Sequence, residues 1–308
     1  DVLVENFKPG TMEKWGLGPD VFKETNPGLI YARISGYGQT GPSAPKPGFA
    51  SVCEGFGGFR YVNGFPGQPP VRPNLSMGDT LAGIHAALGI LLAYINRSRD
   101  SKGQGQVVDV AIFESVFNLL EAVVPEFDGA GMIREPSGST LTGIVPSNTY
   151  RCGDDKLIVI GANTDSMFKR LSKAMNQPEM GDDPRLDSNN KRVEHQEEID
   201  DKIAHWASLE SSTSILSKLD DAGVAAGPIY SVADIFTDPQ YAARGLLQEV
   251  IVDGEPLTIP AIVPHLSATP GATTWPGPKL GSHNDEIFSS ILNLSEQEQS
   301  ALRQDGVI

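Results

Sequence analysis

Cysteine is almost missing from this chain: two residues in 308, Cys53 and Cys152, far apart and outside any C-x-x-C spacing. That excludes a disulfide framework and a thiolate zinc site, and it fits a reducing compartment. With no histidine close by in sequence, each thiol reads first as buried and inert and only second as reactive. Histidine is scarce as well. His85, His195, His205, His265 and His283 are scattered without H-x-x-x-H or H-E-x-x-H spacing, so no metal site is legible. Basic residues are outnumbered, 24 against 39 acidic ones, for a formal net charge of -15. This excludes a broad electropositive face for nucleic acid or anionic lipid. A phosphate-bearing ligand must be met by a few local cations and backbone N–H groups. No uninterrupted apolar run approaches the roughly 20 residues of a bilayer span, and no signal-peptide pattern opens the chain. The expectation is a soluble intracellular protein without nucleic-acid or membrane partners, cytoplasmic or, in a eukaryote, of the mitochondrial matrix.

What is present is ordinary globular material. The length and a hydrophobic content of 39% suffice for a large core and predict two packed units. Asp1-Val2-Leu3-Val4 reads as a strand already under way, which predicts that the chain continues a missing N-terminal part. Short helices are expected at Met12 to Trp15 and Val21 to Glu24, and a buried strand at Leu29 to Ile34. Residues 42–73 are rich in Gly and Pro and carry Phe49, Phe56, Phe59, Tyr61 and Phe65, the makeup of a binding loop. After Gly78-Asp79 comes the clearest helix, with Leu81, Ile84, Leu88, Leu91, Leu92 and Ile95 at three- and four-residue spacing; it reads as a core helix ending near Arg97. A strand at Val107 to Ala111 and a helix from Phe113 to Val124, closed by Pro125, follow. Further on, strands are expected at Leu157 to Ile160, Leu246 to Val252 and Leu257 to Ile262. Helices are expected at Ser166 to Met175, Glu194 to Trp206, Thr213 to Ala222 and Asp285 to Leu292. Ser295 with Glu298 reads as a capping box on a last helix. Alternating strands and helices at the start point to an α/β class with parallel strands.

Three local patterns invite chemistry. Gly36-Tyr37-Gly38-Gln39-Thr40-Gly41 matches G-x-G-x-x-G after a predicted strand, but Pro42, Pro45 and Pro47 prevent the helix that a dinucleotide site needs next. Asp79 sits at the start of the long helix, where an N-cap is the default reading and a positioned nucleophilic carboxylate the alternative. His85, six residues on, faces another side of the helix and reads as a core histidine. Lys8 and Lys14 flank Pro9-Gly10 in an acidic chain, either as solvated surface residues or as phosphate contacts.

Taken as a set, several segments resemble the class III CoA transferases, the family of formyl-CoA transferase. They are the run Asp1 to Gly10, Asn26 to Tyr31, Ile34 to Pro42, Gly78-Asp79-Thr80, Lys102 to Asp109, Pro278 to His283 and the ending Gly306-Val307-Ile308. The likeness is collinear along the whole chain. It implies an α/β fold with a Rossmann-like parallel-sheet large domain, here residues 1–130 continuing the missing N-terminal part. It further implies a linker or active-site loop at 131–150, a smaller α/β domain at 151–263, and a return to the large domain at 264–308. The family's homodimer is interlocked. Its missing N-terminal portion would supply a CoA-binding arginine and a glutamine near the thioester.

Carried over position by position, the resemblance makes Asp79 the catalytic aspartate. Asn6, Phe7 and Lys8 become a CoA-contacting stretch, Lys14 a basic or polar position near the nucleotide, and Gly48, Phe49 and Ala50 a loop lining the CoA path. Ala50 departs from the acidic residue that the family often has there. Ser137-Gly138-Ser139 and Thr142 to Pro146 replace the glycine run of formyl-CoA transferase, a lean toward members handling succinyl-CoA and other dicarboxylic acids. The implied ligands are acyl-CoA and a small carboxylic acid, with coenzyme A a substrate and no cofactor permanently bound. A carboxylate ionised at neutral pH attacks a thioester carbonyl, and each such attack needs an oxyanion donor. Two alternatives stay open: a 2-methylacyl-CoA racemase, whose histidine would fall at Phe49, and a CoA-binding homologue without turnover.

Overall fold

The apolar runs at the start of the chain pair side by side. In the computed structural model, which describes residues 1–308, β1 (Val2–Glu5), β2 (Ile30–Ser35) and β3 (Val107–Ala111) form a parallel sheet in the order β1-β2-β3. Val4 lies opposite Ala32, and Ile34 opposite Val110. Parallel strands require crossover connections. The first is made by α1 (Thr11–Lys14) and, after a 3₁₀ turn at Pro19–Val21, α2 (Phe22–Thr25); the second is made by α3 (Ala50–Phe56) and α4 (Met77–Arg99). The α/β class read from the sequence is the class observed. No helix opens at the glycines of Gly36 to Gly41; the next one, α3, starts only at Ala50.

The long helix is where the pattern misled. Its small residues Gly78, Ala82, Ala86 and Ala93 are the buried ones, while Ile84, Leu88, Leu91, Leu92 and Ile95 are exposed. The helix packs against β2, β3, α3 and α5 (Ile112–Phe117). The approach is so close that a Cβ on Gly89 would come within 2.6 Å of Val108 Cγ1. Apolar periodicity identifies a helix but not the side that packs, and here the backbone separation admits only small side chains. By length and composition α4 would also serve as a membrane span, against the expectation of no such run. In this chain one side of it lies on the sheet.

Beyond β3 the expected helix from Phe113 to Val124 is two. α5 ends at Phe117, and α6 (Val123–Ala130) begins with Pro125 in its first turn, where a missing N–H costs nothing, so Pro125 starts a helix instead of closing one. The rest of residues 1–228 builds a second, antiparallel sheet of β4 (Ser147–Arg151), β5 (Leu157–Gly161) and β6 (Ala225–Pro228), in that order. Around it lie α7 (Asp165–Ala174), α8 (Pro178–Asp182), α9 (Asn189–Glu194), α10 (Gln196–Ser208) and α11 (Ser212–Asp221). Its core holds Ile158, Ile160, Phe168, Leu171, Ile199, Ile203, Ile215 and Leu219 at 1% exposure or less, with the buried Arg192 guanidinium over the Phe168 ring. The segment 229–308 forms a separate unit: α12 (Val232–Thr237), α13 (Pro239–Ala243), a hairpin of β7 (Leu247–Val252) and β8 (Glu255–Pro260), α14 (Asn284–Glu286) running into a π turn at Ile287–Ile291, and α15 (Glu296–Gln304). The Ser295–Glu298 capping box read from the sequence is formed.

One charged cluster fixes the loop that leaves β1. Glu5 and Arg33 face each other across the β1–β2 register, and Arg33 Nε donates to Glu5 Oε1 at 2.7 Å. The other end of the guanidinium grips Glu13 of α1 with two bonds, of 2.7 and 3.1 Å. The second oxygen of Glu5 accepts the Phe7 N–H at 2.8 Å, which pins the backbone of the turn at Asn6 to Lys8. Bidentate pairing of this kind gives geometry as well as energy. The Arg33 guanidinium holds the Glu13 carboxyl below its ordinary value of 4.5. Because the ionised form is the one favoured by folding, that contribution is present above the unfolded pKa and is lost as the pH falls through the lowered one. Arg33→Met leaves Glu5, 2% exposed, as an uncompensated buried charge, and should lower unfolding stability by about 3–5 kcal/mol in a denaturant titration at pH 7. Pairing it with Glu5→Gln should recover much of the loss; a single variant as stable as the wild type would contradict the role given to this cluster.

Candidate functional site

The three parallel strands all end at one edge, where ligands bind in open α/β sheets. A cavity of about 440 Å³ opens there. Asn6, Phe7, Lys8 and Pro9 line it from the turn after β1, Ile34, Ser35 and Gly36 from the end of β2, and Ile112 from the residue after β3. Lys46, Pro47, Gly48 and Phe49 come from the loop before α3, and Asp79 and Gly83 from the first turns of α4. The size is that of an ordinary small-ligand site.

Two close approaches shape its floor. A Cβ on Gly36 would fall 2.7 Å from the Gly48 Cα, and one on Gly48 would fall 2.8 Å from the Gly36 Cα and 3.3 Å from the Cys53 sulfur. Only glycine fits at either place, so the loop before α3 lies flat against the end of β2. Beneath it Cys53 Sγ donates to the Gly36 carbonyl at 3.2 Å. Burial first, and then the charges of Asp79 and Glu54, pushes the Cys53 thiol up to about 11, which keeps it neutral and removes it as a nucleophile. Phe7 meets Trp15 edge to face at 5.0 Å, and Tyr37, Phe56 and Phe113 form a second aromatic group beside the loop.

Six of the residues singled out from the sequence, Asn6, Phe7, Lys8, Gly48, Phe49 and Asp79, border this one cavity. Two do not. Lys14 is the exposed last residue of α1, and Ala50 is buried at the start of α3, its Cα within 3.3 Å of where a Gly78 Cβ would be. The N-cap reading of Asp79 is corrected: α4 begins at Met77 behind Ser76, which makes Asp79 its third residue, exposed in the first turn. The Ser76 side chain caps nothing. A buried carboxylate from outside the helix does that work, as Glu54 Oε1 accepts the Gly78 N–H at 3.3 Å, with Arg72 Nε 3.7 Å from its other oxygen. Asp79 is thereby free of backbone duties and stands at the positive end of the helix dipole. His85 is half-buried on α4 with its Nδ1 unpartnered, and it does not line the cavity.

Sequence reading missed Glu54 and Lys46. Nothing local marks Glu54, because its partner lies 24 residues away. Lys46 did leave a signal, a lone cation ahead of Pro47-Gly48-Phe49 in an acidic chain.

The model of CoA-transferase family III matches residues 1–284. Succinyl-CoA–D-citramalate CoA-transferase of Chloroflexus aurantiacus is 46% identical over all of this chain and 76% of its own length. The succinyl-CoA–L-malate CoA-transferase alpha subunit of the same organism is 38% identical over all of this chain and 72% of its own. Among solved structures, a CAIB/BAIF family protein from Brucella suis superposes with a TM-score of 0.78 at 30% identity, over 94% of this chain and 75% of that one. With its parallel sheet, its cavity at the strand ends and likeness of this extent, the chain belongs to CoA-transferase family III.

Proposed function

We propose that this protein moves coenzyme A from succinyl-CoA, or a similar acyl-CoA, to a small dicarboxylic acid, with Asp79 as the covalent nucleophile. The observation that carries the reading is an ionisable carboxylate, relieved of capping, bordering a cavity whose walls hold Lys8, Lys46 and Asn6. The activities for which the Chloroflexus relatives are named support the choice of donor and acceptor. Coenzyme A is a reactant in this scheme.

The Asp79 carboxylate attacks the thioester carbonyl, the C–S bond breaks, and an acyl-aspartyl anhydride forms as the CoA thiolate departs. The thiolate then attacks the aspartyl carbonyl of the anhydride, which releases the donor acid as its carboxylate and leaves an aspartyl-CoA thioester. The acceptor carboxylate attacks that thioester, again expelling thiolate and forming a second anhydride. Attack of the thiolate on the acceptor's acyl carbon gives the new acyl-CoA and frees Asp79. No net proton is taken up or released. Each step passes through an oxyanion, which the end of α4 stabilises by its dipole. The interlocked homodimer belongs to the same reading.

Two measurements test it on the full-length protein. Asp79→Asn leaves the start of the helix in place, because Glu54 and not Asp79 takes the Gly78 N–H, so fold and CoA binding should persist. The neutral amide forms no anhydride, and succinyl-CoA exchange into malate should fall by at least about 10³-fold. Near-native exchange by that variant would remove Asp79 from the mechanism. The racemase alternative needs a proton-transferring group where Phe49 stands, 76% exposed at the cavity wall. A 2-methylacyl-CoA held with the protein in deuterated water should therefore gain no α-deuterium at a catalytic rate, and rapid incorporation would restore that alternative.

A further inference from the structure

Cations are few in this chain, and many are already neutralised within it. Lys23 pairs with Asp20, Lys191 with Asp187, Lys202 with Glu198 and Lys218 with Glu210. Lys46 has no carboxylate of the chain beside it, and it borders the cavity that Asp79 borders. Its base is held firmly. The Lys46 N–H donates to the Ser43 carbonyl at 2.9 Å, Pro47 fixes the next φ, and Gly48 is pressed against Gly36.

The cavity has an electrostatic problem that Lys46 answers. Asp79 is on its wall, so an incoming acid meets negative charge even before a second carboxylate is considered. A dicarboxylic substrate presents one carboxyl to Asp79 and carries the other as a free anion into the same space. Like charges a few ångströms apart repel by several kcal/mol at the dielectric of a partly buried site, unless a cation intervenes. The two lysines on the walls come from different elements. Lys8 stands in the turn after β1, next in sequence to Phe7, whose ring meets Trp15, whereas Lys46 approaches from the loop before α3.

We propose that Lys46 receives the distal carboxylate of the dicarboxylic substrate and so sets the preference for dicarboxylic over monocarboxylic acids. The assignment rests on the CoA-transfer reading given above. An exposed lysine pair in water is worth little. An acyl-CoA filling the cavity excludes water from around the pair, and a charge-assisted bond then discriminates strongly.

The test compares L-malate with 3-hydroxybutyrate, which has a methyl group in place of the distal carboxylate, using succinyl-CoA as the common donor and full-length protein. In a double-displacement reaction kcat/KM for the acceptor does not depend on the donor half, so the ratio of the two values isolates the acceptor's contacts. Lys46→Met should lower that ratio about 10- to 100-fold, through a raised KM for malate, and Lys46→Arg should keep most of it. A ratio unmoved in both variants overturns the assignment. So does an unmoved ratio with weaker inhibition by desulfo-CoA, which would give Lys46 to coenzyme A instead. Wild-type protein inert toward both acids overturns the transferase reading itself, an outcome separate from an active enzyme indifferent to Lys46.

Discussion

Everything at this site depends on how near α4 can come to the sheet. Gly78, Ala82, Ala86 and Ala93 let the helix lie against β2 and β3, and this nearness brings its first turn to the edge where the strands end. A larger side chain on that face would lift the helix and carry Asp79 away from the turn after β1. The buried Glu54 completes the arrangement by holding the Gly78 N–H from α3, so the start of α4 is tied to the same layer that floors the cavity.

The charge distribution has its own logic. A protein of net charge -15 gains nothing from long-range attraction for an anionic substrate. It concentrates its few useful cations instead. Arg33 is consumed by Glu5 and Glu13 to fix the backbone at Asn6 to Lys8. Lys8 and Lys46 remain at the cavity, one on each of two loops whose bases are rigid. Buried ion pairs give geometry more dependably than they give stability, and here the geometry is that of the ligand wall.

Much of this was legible in the residues. β1, β2 and β3 are short apolar runs between turn signals, and the Ser295–Glu298 box is a local pattern whose partners lie three residues apart. Six residues that border the cavity follow from matching motifs, because those motifs sit on the turn after β1, the loop before α3 and the first turn of α4. What was not legible depends on distance in sequence or on size. The packed face of α4 was misjudged because apolar spacing favours Leu and Ile, whereas the sheet selects Gly and Ala. Asp79 was read as a cap because Gly78 resembles a helix breaker, although α4 already includes it. Glu54 gives no signal at all, since its meaning appears only when α3 and α4 meet.

The central claim is that Asp79 becomes covalently acylated, and it can be read directly. Full-length protein is mixed with succinyl-CoA without acceptor, quenched with hydroxylamine, digested and analysed by mass spectrometry. A hydroxamate on the peptide bearing Asp79, formed only when succinyl-CoA was present, is the predicted result. An unmodified Asp79 peptide from protein that is actively exchanging CoA, or a hydroxamate on another carboxylate, would contradict it.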